Sequence, residues 1–146
     1  MVTALGQIVP HVYVGSDPKL LERVPNPMKP FAATFGVMTA LVNISGDEFT
    51  TVCPITGGPD FGSIEINYSP DEWIVESKSL KLYLGSYRQE PTFHEKVVAK
   101  VCYDLRVLLI PKWIEVKGNF KPRGGLAIKP SAMWTPITYL EDDDGE

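Results

Sequence analysis

The spacing of apolar residues along the chain changes period twice. Residues 34–44 (TFGVMTALVNI) are dense in β-branched and apolar side chains and predict a strand, with Gly46-Asp47 as the turn after it. Residues 62–68 alternate: Ile64, Ile66 and Tyr68 fall on one face and Ser63, Glu65 and Asn67 on the other, which predicts a half-buried strand ended by Ser69-Pro70-Asp71. From Ser77 the period becomes helical, because Leu80, Tyr83, Leu84 and Tyr87 stand at i, i+3, i+4 and i+7. In a second helix Val98, Val101, Cys102, Leu105, Leu108 and Leu109 form the buried stripe. Thr92 and Glu95 have capping-box spacing at its start, and Pro111 stops it. Residues 113–119 (WIEVKGN) and 125–129 (GLAIK) alternate again and predict two strands joined by the turn Lys121-Pro122-Arg123-Gly124. The order strand, strand, helix, helix, strand, strand, without βαβ alternation, predicts an α+β fold: an antiparallel sheet backed by two helices.

Five prolines within residues 1–33 (Pro10, Pro18, Pro25, Pro27, Pro30) forbid a long helix and predict an extended, wrapping arm. A chain of 146 residues, 44% hydrophobic and 22% charged, fits one globular domain, here expected over residues 1–140 with the arm included. Net charge is −4, but five of the 18 acidic residues lie in the last six positions. Residues 141–146 therefore predict a solvated, disordered acidic tail, and the remainder is slightly basic. That balance disfavours direct nucleic-acid binding by bulk charge and leaves anion recognition to local clusters.

The N-terminus lacks the basic and apolar regions of a signal peptide, so a cytoplasmic protein is expected. No apolar run approaches the roughly 20 residues of a membrane-spanning helix. Cys53 and Cys102 form no disulfide framework and are expected as free thiols. There is no G-x-G-x-x-G, Walker A or H-E-x-x-H motif, and two Cys and two His without paired ligand spacing predict no metal site.

Chemical content concentrates in a few stretches. Phe49-Thr-Thr-Val-Cys-Pro-Ile-Thr-Gly-Gly-Pro-Asp60 sets a thiol and an acid on a loop between two strands, where a cysteine is reachable. Local context leaves Cys53 open as a nucleophile or an inert loop thiol, and Asp60 as an acid or a turn residue. Cys102, on the buried stripe, reads as core. At the start of the first helix, around Ser77, free backbone N–H groups with Lys78 and Lys81 would suit a phosphate; a solvated charged face is the alternative. Arg123 beside Gly124 adds a cation where a ligand can approach closely. His94 and Glu95 read either as a capping pair or as a donor and acceptor set for a polar heterocycle.

Four blocks, Cys53-Pro-Ile-Thr-Gly-Gly-Pro-Asp60, Val75-Glu-Ser-Lys-Ser-Leu-Lys-Leu-Tyr83, Phe93-His-Glu95 and Pro122-Arg-Gly-Gly125, resemble in order and spacing the NADPH-dependent 7-cyano-7-deazaguanine reductases (QueF type) of queuosine biosynthesis. The resemblance covers about residues 49–128. It implies a tunnelling fold whose sheets assemble into an oligomeric β-barrel, with active sites at subunit boundaries of a homo-oligomer. It implies Cys53 as the nucleophile forming a covalent thioimide and Asp60 as the proton donor. It further implies Val75, Glu76, Ser77, His94 and Glu95 around the deazapurine substrate, and Ser77, Lys78, Lys81, Arg123 and Gly124 around NADPH. A nitrile resists direct hydride attack, and a thiolate converts it into a better acceptor. Two departures stand out: Gly58 replaces the glutamine that many relatives carry, and Arg88-Gln-Glu-Pro91 replaces the usual R-N-H-G connection. The rival readings are an amidinotransferase of archaeosine synthesis, acting on the same nitrile without NADPH, and a non-catalytic purine- or pterin-binding scaffold of the same fold.

Overall fold

The structure is a computed structural model that describes residues 15–32 and 39–137. Residues 34–38 of the predicted 34–44 strand and the acidic tail lie outside those residues, as do residues 1–14 of the arm.

The described part of the arm is short pieces, as its prolines require. Asp17 caps a 3-10 turn, Pro18–Leu20, by accepting from the backbone N–H of Lys19. β1 (Arg23–Pro25) follows, then a single turn, α1 (Lys29–Ala32). The arm is pinned to the body: β1 pairs antiparallel with β4 (Trp73–Val75), and the Arg23 guanidinium lies 4.2 Å over the Trp73 ring while donating to the Leu108 carbonyl.

The main sheet has the order β2-β3-β5-β6, all antiparallel: β2 (Val42–Val52), β3 (Pro59–Ser69), β5 (Trp113–Phe120) and β6 (Ser131–Trp134). Two helices back it, α2 (Ser77–Gly85), continued by a 3-10 turn through Gln89, and α3 (His94–Leu109). Alternation along the strands turns Ile64, Ile66, Tyr68, Ile114 and Val116 inward against Val97, Val98, Val101 and Leu105 of α3, and all of them are buried. The other face is polar, with Asn43, Glu65 and Asn67 hydrogen-bonded to one another across β2 and β3. Cys102 is core, and burial pushes its thiol up in pKa.

Four local expectations are corrected. Gly46-Asp47 is no turn, because β2 runs through it and absorbs the irregularity as a register shift between Gly46 and Phe49. The predicted 49–60 loop shrinks accordingly to Cys53–Gly58, with Asp60 inside β3. Thr92 makes no capping box: Phe93 is the N-cap residue and has no side-chain cap bond. The reason is tertiary, since the Thr92 N–H is committed to the Val52 carbonyl (3.1 Å) and the Glu90 carbonyl accepts from Val52. Residues 125–129 form no strand. Arg123 and Leu126 close a two-residue turn with reciprocal backbone bonds, and pairing with β5 becomes a regular strand only at Ser131.

Candidate active site

Strand alternation places the first site residue. Counting back from Tyr68, Ile66 and Ile64, the inward positions of β3 reach Gly62 and then Asp60, so a carboxylate is built into the buried face of the sheet and is only 4% exposed. The period that predicts the strand carries this signal, and reading Asp60 as a loop residue hid it. At the same level α3 begins with His94, whose Nε2 lies 3.2 Å from Asp60 Oδ2. From the turn after β5, Arg123 Nη1 comes within 3.0 Å of Asp60 Oδ1.

Cys53 stands where β2 ends. The Cys53–Gly58 loop folds on itself: the Cys53 N–H donates to the Gly58 carbonyl (2.8 Å) and the Gly57 N–H to the Cys53 carbonyl (2.9 Å). This turns N–H groups toward the sulfur. The Cys53 pKa is lowered to about 6, first by the Thr56 hydroxyl, then by the backbone N–H groups of Thr56 and Ile55, and then by Arg123. Burial opposes this, but it is the smallest of the influences on the thiol. At neutral pH Cys53 is therefore mostly thiolate, the nucleophilic form.

Three buried polar atoms in this region have no aligned hydrogen-bond partner: Asp60 Oδ2, His94 Nε2 and Thr51 Oγ1. Thr51 is the register partner of Asp60 across the β2–β3 ladder and is fully buried. Native interiors rarely leave such atoms unpaired, and three together mark a site arranged for a ligand or a proton. Thr51 has no signature in the sequence, because only the cross-strand register brings it to the acid.

The remaining site residues gather elsewhere. Val75 ends β4 and its N–H donates to the Tyr68 hydroxyl (3.2 Å). Glu76 is the N-cap of α2: one carboxylate oxygen accepts from the Lys78 N–H (2.9 Å) and the other from the Ser79 N–H (2.7 Å). Two of the N–H groups expected to be free at this terminus, those of Lys78 and Ser79, are thus already engaged. Ser77 and Lys81 instead line a cleft of about 540 Å³ between α2 and β2, walled also by Phe49, Leu80, Leu84, Asp47, Glu48 and Arg88. Cys53 lies four residues beyond Phe49, about 13 Å along β2 at roughly 3.3 Å per residue. Glu95 is exposed on the first turn of α3. One chain therefore brings together Cys53, Asp60, His94 and Arg123 with Gly124, and separately Ser77 and Lys81 beside the Glu76 cap. No group of His, Cys, Asp and Glu suited to a metal ion occurs among the described residues.

The chain is similar in sequence and in fold to known proteins. A family model described as QueF-like protein matches residues 59–136, more than half of the chain. NADPH-dependent 7-cyano-7-deazaguanine reductase of Helicobacter pylori strain Shi470 is 44% identical over 94% of this chain and 89% of its own length. The enzyme of that name from Caulobacter vibrioides is 38% identical over 92% of this chain and 89% of its own. The crystal structure of the archaeosine synthase QueF-Like in the apo form superposes with a TM-score of 0.63, covering 69% of this chain and 99% of that one at 19% identity, a likeness of fold. On the extent of these matches, the chain belongs to the QueF-like family, alongside the NADPH-dependent 7-cyano-7-deazaguanine reductases.

Proposed function

We propose that this protein reduces the nitrile of 7-cyano-7-deazaguanine to the aminomethyl group with NADPH. The observation that carries the reading is a cysteine held as thiolate by the Thr56 hydroxyl, two loop N–H groups and Arg123, with a buried carboxylate sharing the same guanidinium. Cys53 sulfur adds to the nitrile carbon: a C–S bond forms, one C–N π bond breaks, and its electron pair goes to nitrogen, which takes a proton from Asp60. The product is a thioimide. His94, 3.2 Å from Asp60, is placed to restore the proton. NADPH supplies hydride, and nitrile to amine requires two.

The residues suit such a cofactor by their chemistry. The α2 cleft combines the cations Lys81 and Arg88 with apolar walls from Leu80, Leu84 and Phe49, and Ser77 stands at its rim. In our reading Ser77, Lys78 and Lys81 hold its phosphates, with Arg123 and Gly124 at the reacting end. Val75, Glu76, Ser77, His94 and Glu95 surround the deazapurine.

The cleft and the thiol lie apart along β2, and among the described residues neither outer strand of the sheet, β2 or β6, has a neighbouring strand on its outer side, the bridge of Val52 to Pro91 being the one pairing there on β2. We place the complete site between copies of a homo-oligomer, where the cleft of one meets the Cys53 cluster of the next. Both cysteines are free, which suits a reducing cytoplasm, and no helix among the described residues is long and apolar enough to cross a membrane.

The test is to mix the protein with 7-cyano-7-deazaguanine and follow NADPH absorbance. Oxidation of two NADPH per substrate is expected, with a mass-detected adduct on Cys53 that Cys53→Ala abolishes. Adduct without NADPH oxidation would turn the assignment to an amidinotransferase, and turnover by Cys53→Ala would remove the nucleophile.

A further inference from the structure

Arg123 is carried by a two-residue turn after β5. Its N–H and carbonyl exchange hydrogen bonds of 3.0 Å with those of Leu126, leaving Gly124 and Gly125 as the two central residues at φ 57° and 79°. Two consecutive positive φ values are the signature of a hairpin turn that glycine alone fills without strain. The turn returns the chain toward the start of β3 and lays the guanidinium 3.0 Å from Asp60 Oδ1, itself opposite Thr51 in the ladder, and beside buried Cys53 two residues on, whose thiol it helps to lower in pKa. A cation serving only a cofactor phosphate would have no need of either contact.

We propose that Arg123 is the positioning residue of the nucleophile, its fork clamping the Cys53 sulfur and the Asp60 carboxylate into one ion cluster so that the sulfur is set for attack before any cofactor is engaged. The proposal rests on the reading of Cys53 as the nucleophile. The groups facing the sulfur are Thr56 from its own loop and Arg123 from the turn after β5. Asp60 of β3 and, behind it, His94 of α3 complete the charged surroundings, while Glu90, whose backbone pairs with Val52, commits its carboxylate to the Ser16 N–H. With Oδ1 held by Arg123, Asp60 passes a proton from His94 to the nitrile nitrogen through Oδ2, the oxygen that faces His94. As the C–S bond forms the sulfur loses its negative charge, and the guanidinium becomes available to an anionic ligand. A planar fork can hold two anions at once, which a lysine ammonium does less well.

The experiment compares the full-length protein with Arg123→Ala and Arg123→Lys, by the pH dependence of iodoacetamide alkylation of Cys53 read by mass spectrometry, and by the rate of adduct formation with 7-cyano-7-deazaguanine in the absence of NADPH. Arg123 is half exposed on a surface turn, so both variants are expected to fold. In Arg123→Ala the alkylation midpoint should move up by about one pH unit, with adduct formation at pH 6 slowed about fivefold, since the thiolate fraction there falls from about one half to about one tenth. Thr56 and the loop N–H groups keep the remaining depression. Arg123→Lys should recover part of the shift. An unmoved midpoint and adduct rate, with only the NADPH KM raised, would overturn the proposal and leave Arg123 a cofactor contact. Because alkylation needs no nitrile chemistry, it separates this failure from failure of the nitrile-reductase reading, which would show as absence of any adduct in the unmodified protein.

Discussion

The imidazole of His94 lies flat on the ring of Phe120, centroids 3.7 Å apart and planes within 2°. The first residue of α3 is thus oriented by the last residue of β5, and its Nε2 is thereby aimed at Asp60. Phe120 is itself held by two close backbones. A Cβ on Gly118 would come 2.7 Å from the Phe120 ring and 2.9 Å from Val98, and one on Gly62 would meet the Asn119 carbonyl at 2.6 Å.

Gly118→Ala should therefore cost about 1–3 kcal/mol of stability, the usual range for overpacking. Gly62→Ala should cost more, because backbone cannot give way as a ring can. Denaturant unfolding measures both. Where Gly118→Ala folds, the displaced Phe120 should lower turnover with little change in NADPH KM.

Thr51→Val should separate stability from activity. The hydroxyl has no partner to lose, so the melting temperature should hold or rise. If the hydroxyl serves bound substrate or Asp60, kcat should fall about tenfold, the equivalent of one hydrogen bond of about 1.4 kcal/mol. An unchanged kcat would make Thr51 a packing residue.

Thr56→Val removes the largest influence on Cys53. The thiol pKa should rise from about 6 toward its ordinary value. Alkylation at pH 6–7 should slow correspondingly and converge with the unmodified protein in the alkaline range. The linkage has a definite sign. A depressed thiol stabilises the fold above its unfolded pKa, near 9, and that stabilisation is lost as pH falls through about 6. Thr56→Val should flatten stability over that window.

A buried tyrosine pair predicts the alkaline limit. Tyr83 donates to Asp104 (2.6 Å), which also pairs with Lys100, and the Tyr87 hydroxyl lies 3.0 Å from that of Tyr83. Burial raises both phenols, Tyr87 to about 12 and Tyr83 well beyond the ordinary range. Raised pKa values favour the protonated, folded form. Stability should be full below pH 10 and fall as pH rises through about 12, more gently in Tyr87→Phe. Thermal melts between pH 9 and 12 decide this.

Glu76→Ala removes both acceptors that cap α2 and should cost about 0.5–2 kcal/mol in denaturant unfolding. A loss of activity far exceeding that of stability would show that the same carboxylate also meets substrate.

The α+β order, both helices and the inward faces of β3 and α3 were legible from spacing alone, because burying one face of an element imposes its period on the residues. The four blocks with Cys53, Asp60, His94 and Arg123 could be picked out by residue type and by resemblance. Their assembly could not. Asp60 looked like a loop residue because Gly and Pro before it read as punctuation, while the ladder with Thr51 through Val52 draws it into β3. The capping box at Thr92 gave way to a backbone pairing with Val52, and the free helix terminus at Ser77 to the Glu76 carboxylate, since a local propensity of about 1 kcal/mol yields to any stronger partner that folding brings near. By itself the sequence determined which elements form, which faces are buried and which side chains have the chemistry. The tertiary structure alone decided that an acid on the buried face of one strand meets a guanidinium on a glycine turn and an imidazole at the start of a helix. Such contacts depend on register and turn geometry between distant segments, which no local period encodes.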